Sequence, residues 1–333
     1  KDRNQTWFTA TDLVDHLGCE FTTHFERQYI DGETPLECRA DSMLDLLIEL
    51  GNLHETAYLD HLREQGLSVV ELTEFGGDGD REKAVEAMQQ GVDVIAQVSL
   101  VSAPWRGRAD FLIKVDRPSK FGNWSYEVAD TKLSQSTKAS AVLQLCLYSE
   151  LLAEVQGVQP DKMHVVKPGR PAQSQEFEVD ALRVNDYVAY FRMAKSSFES
   201  SYKKGFDPER NLEPCAHCQV CNWWPRCNQT WREADHLSFV AGITKSQRME
   251  LEEQQIITLE GFANSPSALP APPKRGSIKS FQKTHLQAKI QLKGRGSGKP
   301  EFEFNEVEKD RGFQRLPEPN EGDVFFIISI FRL

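Results

Sequence analysis

The stretch 107–148 constrains the fold more than any other part of the sequence. The first strand predicted there contains a single acid, Asp110, and the second, over 123–133, contains Asp130 and Lys132. Because side chains of a strand alternate between its two faces, Asp130 and Lys132 project from the same side. The pattern predicts two neighbouring strands that bring two carboxylates and an ammonium group together.

This set of groups is the one that phosphodiester hydrolysis requires. Two carboxylates can hold Mg²⁺ or Mn²⁺ through oxygen ligands, the cation neutralises charge on the phosphate, and a lysine orients or deprotonates the attacking water. Asp110 precedes Asp130 by the loose spacing Asp-x19-Asp, and Lys132 completes Asp-x-Lys. Charged proteins often contain such a spacing by chance, so the alternative is an ordinary solvated strand edge.

A helix predicted over 137–155 follows, and it carries Gln144 and Tyr148 four residues apart, hence on one face. Without the preceding strands, the simpler interpretation is a core aromatic residue and a surface amide. Together, Asp110, Asp-x-Lys and Gln-x-x-x-Tyr resemble the RecB-type branch of the PD-(D/E)xK nucleases. That resemblance implies a restriction-endonuclease-like α/β fold, a mixed sheet flanked by helices.

An earlier helix, predicted over 41–65, adds a histidine to the resemblance. His54 lies on one stripe of that helix, and a histidine on a core-facing stripe is usually a satisfied buried residue. In RecB-type nucleases, however, a helix before the sheet supplies a metal-binding histidine within Gly-x-x-His, and Gly51-Asn-Leu-His54 fits this pattern. The other members of the stripe are Met43, Leu47, Leu50, Ala57 and His61.

The resemblance assigns a role to each of these residues. It implies that His54, Asp110 and Asp130 hold Mg²⁺ or Mn²⁺, with the backbone carbonyl of Thr131 as a further ligand. Lys132 is expected to position or activate water, and Gln144 and Tyr148 to position the DNA strand or the lysine.

Four cysteines fall within thirteen residues, and the chain contains seven in all. An odd, unevenly spaced set favours metal ligation over a disulfide framework. One interpretation is a local zinc site, since thiolates suit tetrahedral Zn²⁺. It would use Cys215, Cys218, Cys221 and Cys227.

A second interpretation comes from the spacing Cys218-x2-Cys221-x5-Cys227, which resembles the iron-sulfur staple of RecB-like exonucleases, including the CRISPR-associated ones. There a cysteine in an N-terminal helix supplies the fourth ligand of a 4Fe-4S cluster. Cys19 has that position, inside a helix predicted to begin at a Thr9 cap and to reach roughly Tyr29. Cys215 is then an extra thiol, and Cys38 and Cys146 are expected to be ordinary residues.

Composition sets wider limits. A net charge of −11 does not indicate nucleic-acid binding, but local patches and bound cations decide that affinity. No apolar run is long enough to span a membrane, and the N-terminus lacks a signal-peptide core, so a cytoplasmic enzyme is expected.

The sequence predicts three regions. Residues 1–237 form the nuclease domain, 238–264 resemble a helix-hairpin-helix or else a small packing module, and 265–333 are a basic linker and an incomplete C-terminal segment. The linker begins with a Pro/Ala/Ser-rich stretch, and its basic residues are candidate phosphate contacts. Those at its start are Lys274, Arg275, Lys279 and Lys283. The apolar strand pattern over 322–333 is expected to carry no second active site.

The resemblance implies a metal-dependent DNA nuclease. We expect an exonuclease on single-stranded DNA in repair or processing, with a helicase as a candidate partner. The alternatives are a catalytically inactive DNA-binding scaffold that partners a helicase, and a zinc-stabilised regulator.

Overall fold

A computed structural model describes the protein over 5–35, 42–72, 78–169, 176–205, 212–304, 312–318, 320–322 and 324. The chain divides into two compact units, Lys1–Trp223 and Trp224–Arg332, so the boundary comes before the residue 237 expected from the sequence. Cys38 and most of the predicted strand over 322–333 lie outside the described residues.

The first unit contains a six-stranded sheet in the order β1-β2-β3-β4-β5-β6. The β1–β2 and β4–β5 pairs are parallel and the other three pairs are antiparallel, which confirms the predicted mixed sheet. The strands are β1 (Val69–Glu71), β2 (Val94–Ser102), β3 (Trp105–Val115), β4 (Ser125–Thr131), β5 (Lys162–Pro168) and β6 (Phe177–Arg183).

Helices flank this sheet: α1 (Ala10–Gly18), α2 (Glu20–Ile30), α3 (Ser42–Glu64), α4 (Asp78–Gln90), α5 (Ala139–Gln156) and α6 (Val188–Lys204). Thr9 caps α1 through a reciprocal capping box with Asp12, as its sequence predicts. The single helix expected through Tyr29 is instead interrupted at Cys19, whose backbone is extended.

The two faces of the sheet bury different helices. Val128 belongs to the core that includes α5, whereas its neighbour Ala129 belongs to the core that includes α3. This alternation is the one predicted for β4. The fold is the restriction-endonuclease-like α/β arrangement.

The expected core stripe of α3 is wrong for most of its members. Met43 and Leu50 are exposed, and so is Ala57. The buried residues of α3 are Tyr58, Leu59 and Leu62. The apolar stripe therefore extends along more of α3 than the sheet covers.

The second unit is helical, with α7 (Trp224–Glu233), α8 (Lys245–Glu253), α9 (Leu259–Asn264) and α10 (Ile278–Ser297). Its core includes Leu251, Phe262 and Phe281. The structure differs here from the predicted basic linker, because 278–297 is a helix that buries Phe281 and Ala288. The lysines of α10 are all exposed and so lie off its buried stripe, a spacing that the linker interpretation did not take into account.

Among the described residues, no helix is both long enough and apolar enough to cross a membrane.

Candidate active site

Two acids from the neighbouring strands β3 and β4 lie together. The β3–β4 register pairs Phe111 with Ala129, and its extension by one residue aligns Asp110 with Asp130. Asp130 is only 1% exposed. The Thr131 amide and hydroxyl both donate to Asp110 Oδ2, at 2.8 and 2.9 Å. The backbone thus fixes Asp110 beside Asp130.

Burial, and then the nearby charge of Asp110, raise the pKa of Asp130 to about 7 against the opposing effect of Lys132. The two carboxyl groups share a hydrogen bond, which requires a proton on one of them. The Lys132 ammonium group donates to Asp130 Oδ2. This is an environment that a divalent cation would stabilise, because it could replace the shared proton and neutralise both carboxylates.

His54 comes from α3 and reaches the same region. Its Nε2 lies 3.5 Å from the carbonyl oxygen of Val166, which also accepts the Lys132 amide at 2.8 Å. Burial lowers the pKa of His54 below its usual value, although Asp110 opposes this shift. A neutral imidazole has one nitrogen that can accept a metal ion, so two carboxylates and an imidazole suit Mg²⁺ or Mn²⁺ chemically. In the described part of the chain, the ligand atoms of His54, Asp110 and Asp130 do not all lie within 4.8 Å of one another.

Gln144 and Tyr148 extend this hydrogen-bonded set from α5. The Gln144 amide donates to Asp130 Oδ1 and to the Tyr148 hydroxyl, both at 3.1 Å. The Tyr148 hydroxyl also accepts from the backbone of Arg108, and burial raises the pKa of Tyr148 to about 12. Tyr148 therefore stays protonated at neutral pH and holds Gln144 in place.

Gly107 also belongs to this arrangement, although no sequence motif includes it. A Cβ atom at Gly107 would lie 2.1 Å from Cε1 of Tyr148. The ring thus packs directly on the β3 backbone, a contact that only glycine permits.

Glu55 and Gln97 are two further residues that the motifs did not reveal. Gln97 lies within β2 at the position opposite Asp110, and its φ is +61°, in the left-handed region. Its amide donates to Glu55, the residue after His54. Burial and then the charge of Asp110 raise the pKa of Glu55, which indicates that a third acid borders the pair. No sequence signal marks a positive φ within a strand, but the position of Glu55 beside His54 was visible.

The structure brings several predicted cysteine ligands of the first unit together. Cys215 Sγ lies 3.9 Å from Cys218 Sγ, and the Cys215 amide donates to Cys218 Sγ at 3.4 Å. Cys19 hydrogen-bonds Cys215, and burial raises the pKa of Cys19 to about 11. Burial also raises the pKa of Cys221, with smaller contributions from Cys218 and Cys215.

Cys215 therefore lies among the neighbouring cysteines, although the iron-sulfur interpretation did not include it as a ligand. Within the described parts of the chain, no three cysteine sulfurs all lie within 4.8 Å of one another. Cys227 is buried on α7, in the second unit.

The segment around Cys215 packs on the α1–α2 junction. Cys215 Sγ lies 3.5 Å from the Gly18 carbonyl, and a Cβ at Gly18 would meet the His217 ring at 2.6 Å. The Trp223 indole donates to Glu26 at 2.8 Å. These contacts join the N-terminal helices to residues that follow the sheet.

The predicted phosphate-contacting residues belong to the second unit. Lys279 and Lys283 are exposed on α10, and Arg275 is exposed before it. Lys274 forms an ion pair with Glu253, and its backbone amide donates to Glu250 at 3.2 Å.

Comparison with known protein families identifies the superfamily of this chain. The chain matches no curated protein. A sequence model described as the PD-(D/E)XK nuclease superfamily matches residues 24–228, more than half of the chain. That range contains His54, Asp110, Asp130 and Lys132. The chain therefore belongs to the PD-(D/E)XK nuclease superfamily.

Proposed function

We propose that this protein is a metal-dependent deoxyribonuclease that hydrolyses phosphodiester bonds at Asp110, Asp130 and Lys132. The observation that carries the proposal is the buried carboxyl group of Asp130, which lies beside the half-buried Asp110 while the Lys132 ammonium group contacts it. Placing a second carboxyl group beside a buried acid is costly to a fold, and a metal-dependent nuclease makes use of that arrangement.

In this proposal His54, Asp110 and Asp130 hold Mg²⁺ or Mn²⁺, with the Thr131 carbonyl as a further ligand. The cation supplies charge neutralisation at the phosphate and lowers the pKa of water. Lys132 orients the attacking water through its ammonium group.

The remaining contacts keep these groups in position. Gln144 holds Asp130 by a 3.1 Å hydrogen bond. Tyr148 in turn fixes the Gln144 amide. Thr131 fixes Asp110 through its amide and hydroxyl, so each carboxylate has a donor of its own.

The substrate we propose is a single strand of DNA that is cleaved from an end, in repair or processing, with a helicase as a partner that would supply unpaired strands. Support comes from the resemblance to RecB-like exonucleases and from the exposed lysines Lys279 and Lys283 on α10. With Arg275 they are candidate phosphate contacts, whereas the ion pair of Lys274 with Glu253 makes it a weaker one.

We propose a structural metal centre at the cysteines. The 4Fe-4S cluster at Cys19, Cys218, Cys221 and Cys227 stays a prediction from the sequence. The 3.9 Å between the sulfurs of Cys215 and Cys218 favours zinc as the alternative, since two thiolates on one tetrahedral zinc lie ~3.8 Å apart for Zn–S bonds of ~2.3 Å.

End-labelled oligonucleotides test the substrate. We expect purified protein with Mn²⁺ to shorten single-stranded DNA from one end, to act more slowly on duplex DNA and RNA, and to be inactive in EDTA. Internal cleavage of circular single strands would contradict the exonuclease assignment. Binding to DNA without cleavage of any substrate would instead favour the inactive scaffold.

A further inference from the structure

A cavity of about 340 Å³ is lined by Thr131 and Lys132, the two residues that follow Asp130. One wall comes from α3, through Leu47 and Gly51, and the opposite wall from the segment between β4 and α5 and from the first turn of α5. We name it the α3–α5 cavity. Its volume falls within the range of about 300–1,000 Å³ that is usual for small-ligand sites.

The lining of the α3–α5 cavity combines two kinds of surface. Leu47 and Leu133 give it an apolar wall. Its other lining residues include Lys132, Lys138 and several serines and threonines, whose side chains are cationic or polar. Among the described residues that line it, none is acidic, although the whole chain has a net charge of −11.

We propose that the α3–α5 cavity binds one nucleotide of the strand that is cleaved, with its base against Leu47 and its phosphate toward Lys132 and Lys138. A nucleotide has an apolar base face and an anionic phosphate, and this cavity offers a matching surface to each. A divalent cation would require acidic ligands, which the described lining lacks. The proposal rests on the proposed function, because it is the acids beside Lys132 that would cut the bound strand.

Space for a base comes from Gly51. A Cβ there would find no atom within 4 Å, so this side of α3 is open toward the cavity. The neighbouring residue of Leu47, Ile48, is 55% exposed and does not line the cavity. The two positions on one helix therefore allow a matched comparison.

The test compares Leu47→Gln with the control Ile48→Gln. Wild-type protein and the control should bind thymidine 5′-monophosphate equally in calorimetry. Leu47→Gln should bind it about tenfold more weakly and show a similar rise in KM for a single-stranded oligonucleotide, because a polar amide replaces the apolar contact. A second variant, Gly51→Met, should also weaken nucleotide binding, because its side chain fills the open space without adding a charge.

Two ligands separate the parts of the proposal. Inorganic phosphate should bind to all variants with the same affinity. For an oligonucleotide with an abasic residue at its end, wild type and Leu47→Gln should have the same KM. Equal nucleotide affinity in wild type, Leu47→Gln and Gly51→Met would overturn the base contact. A free nucleotide that binds while the oligonucleotide KM stays unchanged in Leu47→Gln would contradict binding of the cleaved strand.

Failure of the proposed function has a different signature. Bis(p-nitrophenyl) phosphate is a diester without a nucleobase, and wild-type protein and the Ile48→Gln control should hydrolyse it at the same rate. If wild-type protein hydrolyses neither this diester nor DNA, the nuclease proposal fails. The nucleotide-binding comparison still decides the role of the cavity in that case.

Discussion

The ring of Tyr148 occupies the space that a side chain at Gly107 would fill, with 2.1 Å between Cε1 and an added Cβ. The hydroxyl of the same tyrosine holds Gln144, and Gln144 holds Asp130. A backbone position on β3 thereby determines where a catalytic carboxylate is held.

Gly107→Ala should therefore impair cleavage although Gly107 contacts no substrate. The new methyl group must displace the Tyr148 ring, at a cost of about 1–3 kcal/mol in the free energy of unfolding. We expect a lower kcat with little change in KM. Gly296→Ala is the control, because a Cβ there meets no atom within 4 Å. Normal kcat in Gly107→Ala would show that the Tyr148 contact does not position Asp130.

The carboxyl pair predicts how metal binding depends on pH. Because the pKa of Asp130 is raised to about 7 in the folded protein, the folded state retains a proton that the unfolded chain has already lost above its usual carboxyl pKa. Stability without metal should therefore fall as the pH rises from about 4 to about 7. Above that range, the titration of Asp130 should no longer change the stability.

Divalent cations should reverse this trend, since they bind the deprotonated pair. Thermal unfolding in EDTA and in Mn²⁺ measures the effect. We expect the increase in Tm caused by Mn²⁺ to be larger at pH 8 than at pH 5, and much smaller in Asp130→Asn. An equal increase at both pH values would contradict a shared proton at Asp110 and Asp130.

Gln97 provides a test of backbone strain beside the site. A non-glycine residue in the left-handed region costs roughly 1–2 kcal/mol, and the hydrogen bond to Glu55 offsets part of this cost. Gln97→Ala keeps the strain and loses the bond, whereas Gln97→Gly loses both. In urea unfolding, Gln97→Gly should be more stable than Gln97→Ala by about 1 kcal/mol. Equal stabilities would mean that Gln97 is not strained.

If the cysteines bind a structural metal, the purified protein should contain that metal in a measurable amount. Cys19→Ser, Cys218→Ser and Cys221→Ser should each lower the bound metal per chain and the Tm, because the metal contributes to folding. Cys146→Ala should retain the metal, since Cys146 lies in the core of the first unit, 3.9 Å from Met163 Sδ.

Metal analysis after anaerobic purification also decides the kind of centre. Iron and sulfide that are lost in Cys227→Ser but retained in Cys215→Ser support the predicted cluster. Zinc without iron, lost in Cys215→Ser, would contradict the cluster and favour the zinc alternative.

Much of the nuclease fold could be predicted from local patterns. Alternation in the second predicted strand placed Asp130 and Lys132 on one side, and helical spacing placed Gln144 beside Tyr148. In the structure Lys132 contacts Asp130 and Gln144 donates to Tyr148. These periods depend only on backbone geometry, so a single sequence reveals them.

The parts that the sequence did not predict depend on tertiary contacts. Gly107 matters because a side chain far along the sequence packs on it, and Gln97 because the strand is distorted opposite Asp110. The segment 278–297 was interpreted as a linker because it contains many basic residues. It is a helix with a narrow buried face that includes Phe281. A few apolar residues at helical spacing are a weak signal in a segment of such high charge.

The central claim is that Asp130 and Lys132 act together in metal-dependent hydrolysis. Its most direct test is cleavage of end-labelled single-stranded DNA in Mn²⁺ by wild type, Asp130→Asn and Lys132→Ala. Lys162→Ala, an exposed lysine on β5, is the control. We predict that the first two variants lose at least about 100-fold in kcat with an unchanged Tm or a higher one, while the control retains full activity. Full activity in Lys132→Ala would contradict the account.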